Sequence, residues 1–227
     1  MDFKDQEKII AAVKAVSFVN DGDIVGLGTG STASFAIEKL AVLVKEGLTI
    51  TGVCSSIKTE QLAKNAGIPI LELGKVNYID ISIDGADEFT EELNLIKGGG
   101  GALFREKIVA SLSKNRIIIA DSSKKVVKLG AFKVPVEIIP IAYQYVINQL
   151  KKLNGTISLR HNDGVVFITD NQNFIVDVDF GLIDDAQKLS DSLNRIDGLL
   201  AHGLFVDLTS KIIMAKDGEL HFYINVK

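Results

Sequence analysis

A chain of 227 residues is long enough to bury a substantial core as one domain, or as one domain with a smaller one inserted. Its 25 Lys plus Arg stand against 29 Asp plus Glu, a net charge of −4 with no long block of like charge, which argues against nucleic acid as a partner. One cysteine (Cys54) excludes an internal disulfide and three scattered histidines (His161, His202, His221) do not make a zinc set. No apolar run approaches the ~18 residues of a membrane span, and MDFKDQEKII lacks the apolar core of a signal peptide, so a cytoplasmic, reducing compartment and no membrane partner are expected.

In chain order, Ile9, Val13 and Val16 mark the apolar stripe of a helix over 4–19, and DIVGLG follows as a short buried strand ending in glycine. GTGST leads into a helix reaching about residue 45. TITGVCSS predicts a strand, IKTEQLAKNAG a helix with Gly67 at its C-terminal end, and IPILEL another strand. YIDISIDGADE is a strand entering an acidic turn, KGGGG opens a helix to about residue 113, and RIIIAD is one more strand. This alternation predicts a mostly parallel, helix-covered sheet, in which ligands gather at the carboxyl ends of the strands.

After Gly130 the texture changes. VPVEIIP, IAYQYVINQLKKL, strands near TISLR, VVFITD and FIVDVDF, the helix DDAQKLSDSLNRI and the strand LLAHGLF give the order β-α-β-β-β-α-β. That order is close to a split βαβ (ferredoxin-like) unit inserted over 131–206. The C-terminal hairpin KIIMAKDGELHFYIN turns at Asp217-Gly218 and is expected to return to the first domain, which takes 1–130 and 207–227.

Three stretches carry candidate chemistry. In GTGST, Gly28, Gly30 and Ala33 satisfy G-x-G-x-x-A, yet the second strand ends in Val53, Cys54, Ser55 and Ser56, where a dinucleotide site needs an acidic residue for the ribose. A phosphate cradle at a helix N-terminus fits better, with the hydroxyls of Thr29, Ser31 and Thr32 around an anion; the plain alternative is a tight turn with a Ser or Thr cap. DGADE packs Asp84, Asp87 and Glu88 into five residues. They suit a solvated turn, a Mg²⁺ site or proton acceptors for sugar hydroxyls, and spacing does not choose among these.

KGGGGALFREK places four glycines between Lys97 and a helix bearing Glu106. Each glycine costs roughly 0.5–1 kcal/mol relative to alanine in a regular element, so the run needs a geometric use. Ala102, Val109 and Ala110 share the Glu106 stripe, which is small and apolar where a solvated face would be polar. Such a carboxylate loses hydration and its pKa rises toward that of a general base, while Lys97 and the amides of Gly98 and Gly99 offer donors to an oxyanion. Proton abstraction beside a carbonyl needs both parts.

VGLGTGSTA, SSIKTEQLA, DGADE, KGGGGALFREKI, IADSSK and PVEIIP together resemble, in order and spacing, the motifs of type A ribose-5-phosphate isomerases, over almost the whole chain. The resemblance implies a Rossmann-like domain with a smaller α/β lid, usually dimeric and sometimes tetrameric. It implies interconversion of D-ribose 5-phosphate and D-ribulose 5-phosphate through a cis-enediolate, with no metal or organic cofactor. Motif by motif, Glu106 is then the proton-transferring base. Asp84, Gly85, Ala86 and Asp87 hold substrate hydroxyls and the aspartates assist ring opening. Lys97 with Gly98, Gly99 and Gly100 stabilises the enediolate oxygen. Thr29, Gly30, Ser31, Thr32 and Lys124 surround the phosphate, with Lys8 on the first helix. Gly101 and Phe104 depart from the family's usual KGGGAALTRE.

Two other classes fit parts of the pattern. A related sugar-phosphate enzyme such as a hexosamine-phosphate deaminase shares the broad architecture but does not explain DGADE followed by KGGGG. A non-catalytic sugar-phosphate sensor would carry a DNA-binding segment, for which the first helix and strand leave no room.

Overall fold

The computed structural model describes residues 2–224. Helix α1 (Phe3–Val16) forms where expected but turns a different face inward: Ala11, Ala12, Ala15 and Val16 are buried, whereas Val13 is 45% exposed. The alanines, lacking bulk, let the helix lie close against its neighbours, with Val16 in the same core and Ile10 packed beside it. Strand β1 (Ile24–Leu27) leads into α2 (Ser31–Lys45), whose Ala33, Ala36, Ile37 and Leu40 recur at helical spacing and are all buried. Next come β2 (Thr51–Cys54) and α3 (Ile57–Asn65), the latter capped by the Ser56 hydroxyl accepting from the Thr59 N–H at 3.0 Å.

The strand expected at IPILEL is absent. Ile70 makes a single bridge to Gly52 and residues 73–75 form a short 3₁₀ turn. A residue with one partner on its sheet side has no ladder to extend, and the lysine, glutamate and glycine that follow lie in solvent. Strand β3 (Ile79–Gly85) runs through YIDISIDG, β4 (Glu88–Phe89) and β5 (Leu95–Ile96) form a small hairpin, α4 (Leu103–Leu112) follows the glycine run, and β6 (Ser113–Asp121) begins directly where α4 ends.

Strand β7 (Val134–Ile138) and α5 (Tyr143–Lys152) open the second layered unit. They are followed by β8 (Thr156–Leu159), β9 (His161–Asn162), β10 (Val165–Val166), β11 (Phe174–Asp179), α6 (Ala186–Leu193) and β12 (Leu199–His202). The antiparallel sheet β12-β7-β11-β8 has four strands where five were expected, because VVFITD leaves it and pairs as β10 with β9 in a ribbon. The expected LLAHGLF strand also divides: β12 stays in this sheet, while β13 (Leu204–Phe205) joins β5 and β4 in a three-stranded sheet. Gly203 is the joint. A Cβ there would stand 2.4 Å from the Lys97 carbonyl oxygen.

The main sheet has the order β15-β14-β6-β3-β1-β2, where β14 (Lys211–Lys216) and β15 (Glu219–Ile224) form the C-terminal hairpin. All neighbours pair parallel except β14 with β15. Both faces are covered, so β6 reads as a continuous apolar run. Ile117 and Ile119 meet the core under α1 and α2, and Ile118 and Ala120 meet Phe89, Leu95 and Phe205. The order in which strands are added reverses between the parallel neighbours β1 and β3, and the carboxyl ends of β1, β3 and β6 deliver GTGST, DGADE and DSSK to one edge.

Candidate active site

At that edge lies a cleft of about 330 Å³. Its wall includes Lys8, Thr29, Gly30, Ser31, Thr32, Gly85, Ala86, Asp87, Lys97, Gly98, Gly99, Gly100, Glu106 and Lys124. Lys4, Asp121 and Ser123 also line it and were not singled out from the sequence. Lys4 was legible as the i−4 neighbour of Lys8 on α1, since residues four apart share a helix face.

Asp84 stands behind this wall, 8% exposed. Its Oδ1 accepts from the N–H groups of Thr29 (3.1 Å) and Gly85 (2.8 Å), and its Oδ2 from Lys97 Nζ (2.9 Å). Gly28 makes this possible, because a Cβ there would lie 2.1 Å from Asp84 Oδ1. The expected hydroxyl contact for Asp84 therefore changes character: both oxygens are engaged by the protein. Asp87 does border the cleft, and its Oδ2 accepts the Gly99 N–H at 2.8 Å. That amide, expected to face an oxyanion, is already engaged by a carboxylate.

Lys97 is 3% exposed, and besides Asp84 its ammonium donates to the Gly85 carbonyl at 2.6 Å. Burial opposes its charge, but the carboxylates of Asp84 and Glu106 together outweigh burial and hold its pKa above the ordinary lysine value. Glu106, in the first turn of α4 and not the second as its distance from the glycines suggests, is 4% exposed as its small apolar stripe implied. Its Oε2 lies 3.4 Å from Lys97 Nζ, within ion-pair reach, and forms no hydrogen bond. Burial pushes the Glu106 carboxyl up to about 7 against the pull of Lys97, and the charges of Asp84 and Asp87 push the same way. The result is a dry carboxyl poised near neutrality beside a fixed cation.

The next residue of α4 anchors the helix. Lys107 Nζ donates to the carbonyls of His202 (2.8 Å) and Leu204 (2.9 Å), the ends of β12 and β13, and burial pushes its pKa down to about 7. Burial, helped by the Lys107 charge, lowers His202 to about 3, so its ring is neutral.

Thr29 departs from expectation. Its hydroxyl turns away into a buried cluster with Ser55 (2.8 Å), Ser56 (2.9 Å) and Thr59 (3.0 Å), which leaves the hydroxyls of Ser31 and Thr32 as the expected set at the α2 N-terminus. Glu7 is a further residue the sequence reading missed: 1% exposed, its Oε2 accepts from Ser122 N–H and Oγ (both 2.8 Å), fixing the turn that carries Lys124. A lone glutamate on an amphipathic helix gives no sign that its partner lies 115 residues away.

The profile for ribose 5-phosphate isomerase A (phosphoriboisomerase A) matches residues 51–219, which includes β3, the glycine run, α4 and β6. The chain belongs to the ribose-5-phosphate isomerase A family. It is 47% identical over 219 residues to "Ribose-5-phosphate isomerase A" of Desulfatibacillum aliphaticivorans, covering 95% of each chain. Over 210 residues it is 45% identical to the Sphingopyxis alaskensis protein of the same name, covering 92% of each. Among solved structures it is similar to ribose 5-phosphate isomerase from Plasmodium falciparum, with TM-score 0.94, 41% identity and coverage of 98% and 100%. Another D-ribose-5-phosphate isomerase, solved with phospho-erythronic acid, has TM-score 0.94, 37% identity and coverage of 99% and 100%. The deaminase and sensor alternatives are not favoured.

Against the family pattern, Gly101 has a physical reason in this chain. Its φ is +83°, and a Cβ would lie 2.4 Å from Cζ of Phe167. Gly101→Ala is expected to force Phe167 aside and strain the turn, lowering thermal stability by ~1–3 kcal/mol. A thermal denaturation series of the wild type, Gly101→Ala and Gly101→Ala with Phe167→Leu checks this, the double variant recovering part of the loss.

Proposed function

We propose that Glu106 is the base of an aldose–ketose isomerisation of ribose 5-phosphate that passes through a cis-enediolate. The activity is that of the family; the observation that supports this chemistry is a buried, hydrogen-bond-free Glu106 oxygen 3.4 Å from a buried Lys97 inside the cleft. The carboxylate removes the C2 proton of the open-chain aldose and the electron pair moves onto the carbonyl oxygen. The same carboxyl returns its proton to C1, while the O2 hydroxyl proton moves to O1, giving the ketose. Lys97 remains an ammonium throughout and offsets the developing charge.

In this reading Asp87 and the backbone at Gly85, Ala86, Gly98, Gly99 and Gly100 position the sugar, and Asp84 acts through Lys97. The occupied oxygens of Asp84 favour a cation supplied by lysine over a metal at DGADE. The phosphate sits at the α2 N-terminus, over the amides following Gly30, with Ser31, Thr32, Lys8 and Lys124 around it. Lys124 makes no ion pair among the described residues, so its charge is available to an anion. We take 1–130 with 207–227 as the catalytic domain and 131–206 as the smaller one, a homodimer or tetramer as the assembly, and the cytoplasm as the compartment. The last is supported by Cys54 being the single cysteine, which leaves no internal disulfide for an oxidising compartment to form.

An enzyme-linked assay with ribose 5-phosphate in the presence of a chelator tests the whole reading. Activity is expected to survive the chelator, and its loss would restore the metal reading of DGADE. In the same assay Lys124→Ala is expected to raise KM by ~10-fold or more, and unphosphorylated ribose to be a very poor substrate, because remote phosphate binding positions the reacting carbons. Equal efficiency with free ribose would remove the phosphate assignment.

A further inference from the structure

The glycine run contains a β-turn whose middle peptide has two available orientations. Gly101 N–H donates to the Gly98 carbonyl at 3.0 Å, so Gly99 and Gly100 are its central residues. Neither has a positive φ, which is the type I arrangement. Type II differs by inversion of the peptide joining the central residues and needs a positive φ at the second of them. With glycine at 100, sterics do not forbid that inversion.

Arg160, between β8 and β9, holds one orientation. Its Nη1 donates to the carbonyls of Gly98 (3.0 Å) and Gly99 (3.1 Å). Its Nε and Nη2 form a fork on the Asp177 carboxylate of β11, which fixes the guanidinium plane. Because a trans peptide is planar, a Gly99 carbonyl directed at Arg160 sends the Gly100 N–H the opposite way. Gly100 lines the cleft and Arg160 does not. An inverted peptide would give up the Arg160 bond and present a carbonyl oxygen, which repels a developing oxyanion, where the N–H now stands.

We propose that Arg160 is a positioning residue that locks the Gly99–Gly100 peptide with its N–H turned toward the substrate oxygens, so that a side chain of the four-stranded sheet sets a donor of the candidate active site. The inference rests on the site reading given above and adds to it the one amide of Gly99 and Gly100 that Asp87 does not take. It also gives the glycine at 100 a specific role. A Cβ there would meet only Thr29 Cγ2 at 3.7 Å, an ordinary contact, so an alanine fits and would itself disfavour the inverted turn.

The test is a kinetic cycle with ribose 5-phosphate and with inorganic phosphate as a competitive inhibitor. Arg160→Met is expected to lower kcat by ~10- to 100-fold, the range for a misplaced catalytic donor, while the Ki of inorganic phosphate changes by less than about 2-fold. In a Gly100→Ala background the same Arg160 change is expected to cost under ~3-fold, since alanine already opposes the inversion. An unchanged kcat in Arg160→Met, a phosphate Ki rising in step with the loss of kcat, or an equal loss in both backgrounds overturns the proposal. If Arg160→Met does not fold, Arg160→Lys serves: a single ammonium cannot serve the carboxylate fork and both carbonyls, so kcat should still fall several-fold with phosphate binding intact, and a normal kcat overturns the proposal. Glu106→Gln is measured alongside. Its retention of activity would point to failure of the site reading, whereas an inactive Glu106→Gln with a normal Arg160→Met removes the Arg160 inference alone.

Discussion

Glu106→Gln is expected to lower kcat by at least ~10²-fold, the lower end for loss of a general base, with KM little changed. Glutamine keeps the size and helix propensity of glutamate but does not accept a proton from carbon. Exchange of the substrate C2 hydrogen with solvent deuterium should stop as well, because exchange and isomerisation share the abstraction step. The base works as carboxylate, and burial sets its pKa at about 7, so kcat/KM of the wild type should fall about tenfold per pH unit below that value and level off above it.

The same burial has a consequence for stability with the opposite sense. A carboxyl whose pKa is 4.5 in the unfolded chain and raised in the fold takes up a proton on folding between those values. Its favourable contribution is complete below the unfolded pKa and is lost as pH rises through the folded one. The charged carboxylate is thus a liability of the fold at pH 8, and Glu106→Gln should melt no lower than the wild type there. A normal turnover and exchange rate in this variant would place the base elsewhere.

The second large effect is expected at Lys97. Lys97→Met removes the ammonium that stands 2.9 Å from Asp84 and 3.4 Å from Glu106, leaving two buried carboxyls without their cation. Breaking a buried pair from one side costs about 3–5 kcal/mol, which for a chain of this size corresponds to a fall in Tm of roughly 10 °C. Activity should fall by ~10²-fold or more, the range for removing one oxyanion donor. A pH effect distinguishes the role from simple unfolding. Lys97 holds the Glu106 pKa down, so its loss should move the alkaline-rising limb of residual kcat/KM to higher pH. A pH profile whose midpoint stays in place while kcat drops would show that the two groups do not interact as the geometry indicates.

Where local chemistry leaves one solution, sequence reading and structure agree. The GTGST turn placed α2 and Gly67, with a positive φ, stands just past α3 as expected, Asp217 and Gly218 have the positive φ of the expected tight hairpin turn, and the small apolar stripe around Glu106 correctly implied a buried carboxyl. The family motifs were legible for the same reason, since each is a contiguous run. The failures share a cause as well. IPILEL and VVFITD both have strand composition, but Ile70 keeps only a single bridge to Gly52 at the outer edge of β2, and VVFITD pairs with β9 outside the four-stranded sheet. Composition reports propensity, whereas pairing is a property of the assembled sheet.

What the sequence by itself determined was the alternation that makes a parallel sheet, the three motifs at its strand ends, and a glutamate on an apolar stripe behind four glycines. Tertiary structure alone decided the partners of those groups. Asp84 is drawn back onto Lys97, the Thr29 hydroxyl turns inward to Ser55, Ser56 and Thr59, Asp87 takes the Gly99 amide, and Arg160 grips two carbonyls about sixty residues earlier in the chain. The physical reason is that a buried polar group must be matched by whichever donor or acceptor the fold brings within about 3 Å, and that neighbour is set by sheet order and the close approach of chain segments. Spacing along the chain carries no record of it.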